Sequence, residues 1–339
     1  MTSNLLHLPL SICKLSMLSS TQKKRISFSI KTLLVLLCLA YLYSKLSAVN
    51  GKTLSTDFIQ KLTGSNRYYL LIALALVLAN WSIEAVKWKF LIQRLEPITF
   101  TASLKSILAG ISASLVTPNR AGEFIGKLFF LRKASKPDAL ILSMVGSISQ
   151  VMLTLCFGLV ALHQYLYKNA LLTAYYYPVL VVVLGVNILS IYLFYNFKNI
   201  AISWKKWNFI HSIIPYNLES IELTKRDLSK VILLSLFRYI IFTVQFLLIL
   251  KIANLIVNPI ESALLVFLCF FIVSLMPTFA ITELGVRGSV AVALFCENPD
   301  SCAEVLAAAF IVWFINLALP AIVGAYYVFQ LRFFSSEDE

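Results

Sequence analysis

The sequence predicts an all-α, polytopic membrane protein of about six full transmembrane helices plus two broken, re-entrant helical segments in inverted-topology repeats. Three observations predict it. Hydrophobic residues make up 59% of the chain and charged residues only 13%, and the mean hydropathy is +0.83, a composition foreign to soluble domains. Apolar runs recur at the length of about 20 residues that crosses a hydrocarbon core of about 30 Å. Two further apolar stretches, 117–130 and 276–290, each break at a proline (Pro118, Pro277) and then set a Glu four residues before a cation, Glu123 with Lys127 and Glu283 with Arg287. Interrupted apolar segments at corresponding places in two halves are the mark of an inverted-repeat transporter.

The elements follow in order. Residues 1–27 are polar and Ser-rich with a basic Lys23-Lys24-Arg25 cluster and are expected to form a disordered extension, with Met17 an alternative start. A secretory signal needs a small-residue cleavage pattern, which 44–50 supplies poorly, so the apolar run 28–46 is expected to remain as a first span. Further spans are expected at 68–86, 139–162, 174–195, 228–252 and 303–329, and broken segments at 102–131 and 261–295. Together they form one transmembrane domain over 28–334, with repeat one at 28–162, repeat two at 174–329 and an acidic tail at 335–339.

Lys and Arg in short flanking loops, rather than net charge, orient a membrane protein. Lys14, Lys23, Lys24 and Arg25, then Lys87, Lys89, Arg94 and Lys105, then Arg132, Lys133 and Lys136, and finally Lys198, Lys205, Lys206, Lys225, Arg226 and Lys230 mark cytoplasmic segments. The loops near Lys168, at 253–260 and at 296–302 fall outside. Lys45, Lys52, Lys61 and Arg67 in the first outer loop run against this majority. The majority places both termini in the cytoplasm, in a bacterial inner membrane, and makes the two halves enter from opposite sides. Trp204, Lys205, Lys206, Trp207 and Phe209 read as an interfacial anchor.

The net charge of +13 would suit a nucleic-acid binder, but no zinc-finger spacing, RNA-binding signature or basic soluble helix accompanies it. The cytoplasmic bias and attraction to anionic headgroups account for it. There is no Walker loop and no His-Glu-x-x-His helix, and His7, His163 and His211 are scattered. No enzyme activity, cofactor or metal is therefore expected. Cys38, Cys156 and Cys269 lie in apolar runs as packing residues. Cys296 and Cys302 bracket a short loop, and either a disulfide or two free thiols fits that spacing.

The charged motifs carry the chemistry. Unpaired N–H groups after a helix break, together with the helix dipole, attract anions. Arg120 beside the first break and Arg287 in the second can grip phosphate, which guanidinium does bidentately. Lys127 would assist, and Glu123 and Glu283 would orient these cations or take up protons. The structural alternative is that each Glu merely neutralises its i+4 cation in a solvated loop, a contact worth a few tenths of a kcal/mol. Glu84 with Lys87, Gln150, Asn187, Arg238 with Gln245, and Asn316 also lie at membrane depth. Interhelical hydrogen bonding is the expected role of the amides. Arg238, deep in an apolar helix, must face a cavity or a carboxylate.

The run Pro118-x-Arg120-x-Gly122-Glu123, the later Gly285-Val286-Arg287 after Pro277, and the spacing of the spans resemble the transmembrane region of the lysylphosphatidylglycerol synthase and flippase-like family, over about 24–334. Two departures stand out: Gly126, followed by Lys127, replaces an expected Arg, and Gly288 replaces an expected Glu, with Glu283 lying before the Gly. No segment reads as the soluble aminoacyl-transferase domain of full-length synthases. The resemblance implies handling of an anionic phospholipid or a polyprenyl-linked glycan. The expected function is its translocation between leaflets, with Arg120, Glu123, Lys127, Arg238, Glu283 and Arg287 as substrate-binding residues. The alternatives are a non-transporting accessory partner of a lipid or cell-envelope glycan biosynthesis enzyme, and a membrane-embedded transferase.

Overall fold

The computed structural model describes residues 60–329 except 63, 65, 116, 118, 119, 172, 200–222, 257, 277–279 and 297. The expected first span, the extension, the Trp204–Phe209 patch, the acidic tail and both break-forming prolines lie outside the described residues.

Ten helices carry the described chain: α1 (Arg67–Ile92), α2 (Phe100–Leu115), α3 (Gly122–Leu128), α4 (Lys136–Lys168), α5 (Tyr176–Tyr195), α6 (Lys225–Ile252), α7 (Pro259–Leu275), α8 (Ala280–Phe295), α9 (Pro299–Trp313) and α10 (Leu319–Phe329). A π turn at Phe314–Ala318 joins α9 to α10, so the two cross as one apolar stretch. That stretch, α1, α4, α5 and α6 are each long and apolar enough to span a bilayer, and every described span covers most of its expected place, with α1 and α4 each running six residues past the expected end. At about 1.5 Å per residue, α2, α3, α7 and α8 are each too short to cross. They are the two broken segments.

Local chemistry sets several boundaries. Thr224 and Asp227 form a reciprocal capping box at the start of α6, and Asn258 accepts from the Ile260 N–H with Pro259 in the first turn of α7. α1 runs past the expected end to Ile92 because Lys87, expected in a loop, is a buried member of an ion cluster. Cys296 and Cys302 are joined by a disulfide across the turn between α8 and α9.

Polar ties at the helix ends fix the relative topology. The Glu96 carboxylate, just before α2, accepts from the backbone N–H groups of Arg132, Lys133 and Ala134, just after α3, so the first broken segment enters and leaves on one face. Arg94 pairs with Asp227 at 2.8 Å, which puts the start of α6 on that same face. Across the molecule, Lys168 at the end of α4 meets Glu261 at the start of α7. Lys61, before α1, meets Glu304 near the start of α9. The second broken segment thus enters and leaves on the opposite face, as inverted repeats require.

Packing follows an exchange between halves. α1 packs on its counterpart α6. The first broken helix α2 packs on α10, while the second broken helix α7 packs on α4. Each half therefore clasps the last span of the other, the pattern of an internal twofold. Close approach at these contacts depends on glycine: a Cβ on Gly324 of α10 would overlap the Leu108 carbonyl of α2, and one on Gly158 of α4 would overlap Phe271 of α7. Within the first broken segment, a Cβ on Gly126 would sit 2.6 Å from Gly110 Cα.

Two outcomes are expected. Gly324→Val and Gly126→Val should abolish folded protein by size-exclusion in detergent, because backbone stands where the new methyl groups would go, while Gly185→Ala, with open space around it, should behave as wild type. Partial desolvation pushes the Glu96 carboxyl up, yet the three backbone donors and Lys136 win and hold it below its ordinary value of 4.5. A depressed carboxylate stabilises above its unfolded pKa and loses that stability as pH falls through the lower folded value. Glu96→Gln should accordingly lower stability by about 1 kcal/mol near neutrality, after solvent screening. The gap to wild type should close as pH is taken below 4.5, read by thermal unfolding.

Candidate functional site

The centre of the molecule holds eight ionisable side chains from four helices and the turn between α2 and α3. They fall into two groups. In the first, Glu84 of α1 is the hub: its carboxylate lies 2.8 Å from Lys87 one turn on, 2.7 Å from Arg238 of α6 and 3.6 Å from Lys127 of α3. Lys127 also pairs with Glu123 at 2.8 Å. Lys87 donates further to the Gly146 carbonyl of α4 and to Ser235 of α6, and Ser235 is hydrogen-bonded to Ser149. Arg238 continues the network through Asn80 to Asn316 in the π turn, at 2.9 and 3.1 Å.

Glycine places α3 in this group, since a Cβ on Gly110 of α2 would crowd both the Glu123 carbonyl and the Lys127 side chain. Aromatic faces complete the enclosure. The Arg238 guanidinium lies 5.2 Å from the Trp81 ring centroid and 5.3 Å from that of Phe242, and Lys127 stands over Trp88, contacts that favour a desolvated cation.

The second group joins the halves. Glu283, in the first turn of α8, receives a two-point contact from Arg120, Nε to Oε2 at 3.1 Å and Nη2 to Oε1 at 3.2 Å. Arg287, one turn along α8, donates to Oε1 at 2.9 Å. Arg120 adopts φ 57°, the left-handed region that a bulky non-Gly residue occupies at a strain of about 1–3 kcal/mol. The guanidinium–carboxylate pair is formed from that strained position.

Both groups face one cavity of about 540 Å³, within the usual size of a ligand site. Glu84, Lys87, Arg120, Glu123, Arg238, Glu283 and Arg287 make its charged end. Its walls come from α4 (Ser147, Gln150, Val151, Thr154) and the end of α7 (Ser274, Leu275). Val151 and Leu275 at the rim are well exposed, so the mouth is apolar while the inner end is charged. A second cavity of about 70 Å³ shares Arg120, Glu123, Arg238, Phe242 and Arg287, and is otherwise walled by Trp81, α2 and the α9 to π-turn region. Under the internal twofold these walls are the counterparts of α6, α7 and α4. The two cavities thus flank one charged layer from related directions, one wide and one nearly closed.

The expected site residues therefore come together. Arg120 and Arg287 meet on a shared carboxylate, Arg238 has both a cavity and a carboxylate, and both Glu-to-cation i+4 pairs are made. These are not solvated surface pairs, since the side chains of Lys127 and Glu283 are 3% and 8% exposed. One assignment is completed and two shift. Arg120, whose partner the sequence left open, pairs with Glu283 of the other half. Lys127 stands behind the cavity wall rather than on it. Glu84 and Lys87, ranked low in the sequence, form the hub; the usable signal was a carboxylate inside an apolar span with a cation three residues on. Gln245 and Asn187 make the interhelical bonds expected of them, to the Ala73 and Cys156 carbonyls.

Removing one partner from a buried ion cluster costs about 3–5 kcal/mol because the remaining charges are stranded. Glu84→Gln leaves Lys87, Lys127 and Arg238 with Glu123 as the group's remaining carboxylate and should depress the melting temperature more than Glu123→Gln. Adding Arg238→Gln to Glu84→Gln should recover part of the loss, a coupling read directly from a double-mutant cycle.

The family model described as lysylphosphatidylglycerol synthase TM region matches residues 28–324, which takes in both charged groups and both broken segments. No curated protein matches the chain.

Proposed function

The chain belongs to the lysylphosphatidylglycerol synthase transmembrane-region family, and from that membership and the charged chamber between its halves we propose that it carries an anionic lipid between the leaflets. The observation that carries the reading is the chamber's polarity. Its inner end is cationic and built where two oppositely entering helices meet, and its mouth is walled by exposed apolar side chains. A phospholipid or a polyprenyl-linked glycan has the matching form, with a phosphate for the guanidinium groups and chains that stay in the bilayer.

Arg120 and Arg287 take the phosphate in this reading. Glu283 holds both in place while the chamber is empty and is displaced as their counter-ion when substrate enters. Lys127 buttresses Glu84 from behind the wall while pairing with Glu123, and Arg238 supplies positive field from the opposite wall. The paired cavities supply the path: closing the wide one and opening its narrow counterpart would present the same charged layer to the other side, the alternating access of inverted-repeat carriers. No covalent step is assigned. The basic loops around Arg94, Arg132, Lys133 and Lys225 share a face with the end of α10, and the positive-inside rule assigns that face to the cytoplasm.

In vesicles reconstituted with purified protein, Arg120→Gln and Arg287→Gln should each reduce translocation of a fluorescent anionic phospholipid at least tenfold while the melting temperature stays within a few degrees of wild type. Undiminished translocation in both variants rejects the reading. Purified wild-type protein that moves no lipid, with activity returning only beside a biosynthetic enzyme, replaces it with the accessory role.

A further inference from the structure

Among the described residues, the chamber is not electrically balanced. In the Glu84 group, Lys87, Lys127 and Arg238 face Glu84 and Glu123, leaving one positive charge in excess. In the Glu283 group, Arg120 and Arg287 face Glu283 alone, leaving another. Uncompensated charge at membrane depth is costly, so the chamber is poised for an anion that supplies what the protein omits. Three further polar atoms, on residues that line the cavity, are buried without a protein hydrogen-bond partner: Arg287 Nε, Tyr239 Oη and Gln150 Oε1. Two of these are donors, suited to phosphate oxygens. The third is an acceptor, suited to a hydroxyl.

We infer that the chamber selects a lipid headgroup bearing two negative charges, a phosphomonoester or diphosphate on a lipid chain, over the singly charged phosphodiester of an ordinary anionic phospholipid. This deepens the carrier reading and rests on it. A phosphodiester neutralises one excess charge and leaves the other buried. A phosphomonoester near its fully ionised form, or a diphosphate, answers both groups at once. The apolar mouth at Val151 and Leu275 favours the lipid-linked form over the free anion.

The test uses the full chain in nanodiscs of phosphatidylcholine and competition against a fluorescent polyprenyl diphosphate. Polyprenyl diphosphate and polyprenyl monophosphate should displace the probe at concentrations at least about tenfold below phosphatidylglycerol, the factor expected from one additional charge-assisted contact. Arg287→Gln, which removes one excess charge, should narrow that preference to about threefold or less. Equal competition by phosphatidylglycerol in the wild-type protein overturns the inference without needing any variant. Displacement by inorganic pyrophosphate as strong as by the lipid diphosphate overturns its lipid part. A retained preference in a protein that fails to move lipid between leaflets leaves the selectivity standing and removes only the carrier reading.

Discussion

The Glu84 carboxylate is the constraint on which the centre of this protein depends. It lies on a span that would otherwise be an ordinary apolar helix, and it gathers cations from its own turn, from α3 and from α6. A carboxylate at that depth is tolerated only if it is paired, and pairing it with three cations commits three helices to one geometry. The hydrogen bonds outward from the hub extend that commitment. Lys87 reaches α4 through Gly146, and Arg238 reaches the π turn through Asn80 and Asn316. The network does for this interior what a close-packed apolar core does for a soluble domain, with the added property of direction.

Glycine makes that geometry attainable. A helix as short as α3 has little packing surface of its own, and it is held because Gly110 and Gly126 let its backbone lie directly on α2. The same device sets the larger architecture. Gly324 seats α10 on α2, and Gly158 seats α4 on α7. In a lipid environment, apolar side chains gain little by meeting each other rather than lipid, so close backbone approach and interhelical polar contacts carry the association. α5 shows the contrast. It is apolar on all sides, has little buried surface and packs chiefly on α4, with a hydrogen bond between Tyr195 and Ser229 tying its end to α6.

Much of this was legible in the sequence, for identifiable reasons. Spans announce themselves by length and hydropathy, and their described positions match. The broken segments were legible because proline, glycine and charge interrupt apolar runs in both halves. The candidate residues were legible because Arg, Glu and Lys are expensive at membrane depth. What escaped was partnership. Spacing along one helix predicts Glu123 with Lys127, but no local pattern states that Arg120 reaches across to Glu283, because that contact exists only once the halves are packed. Lys87 was misplaced for a related reason. A lysine near the end of an apolar run resembles a loop residue that marks a cytoplasmic face, and only the position of Glu84 and Ser235 around it reveals burial.

The two charged groups differ in a way that bears on mechanism. Lys87, Lys127 and Glu84 are almost wholly enclosed, with side-chain exposures of 2%, 3% and 5%, and any rearrangement there would strand charge. Arg120 is 39% exposed, joins the halves and occupies strained backbone. Its contact with Glu283 is partly solvated, so exchanging that carboxylate for a phosphate is far less costly than breaking the Glu84 hub. In the proposed carrier, the enclosed group would be a fixed electrostatic floor and the Arg120–Glu283 pair the exchangeable contact above it. A carrier needs both: a field that does not move, and one ion pair between its halves that substrate can replace.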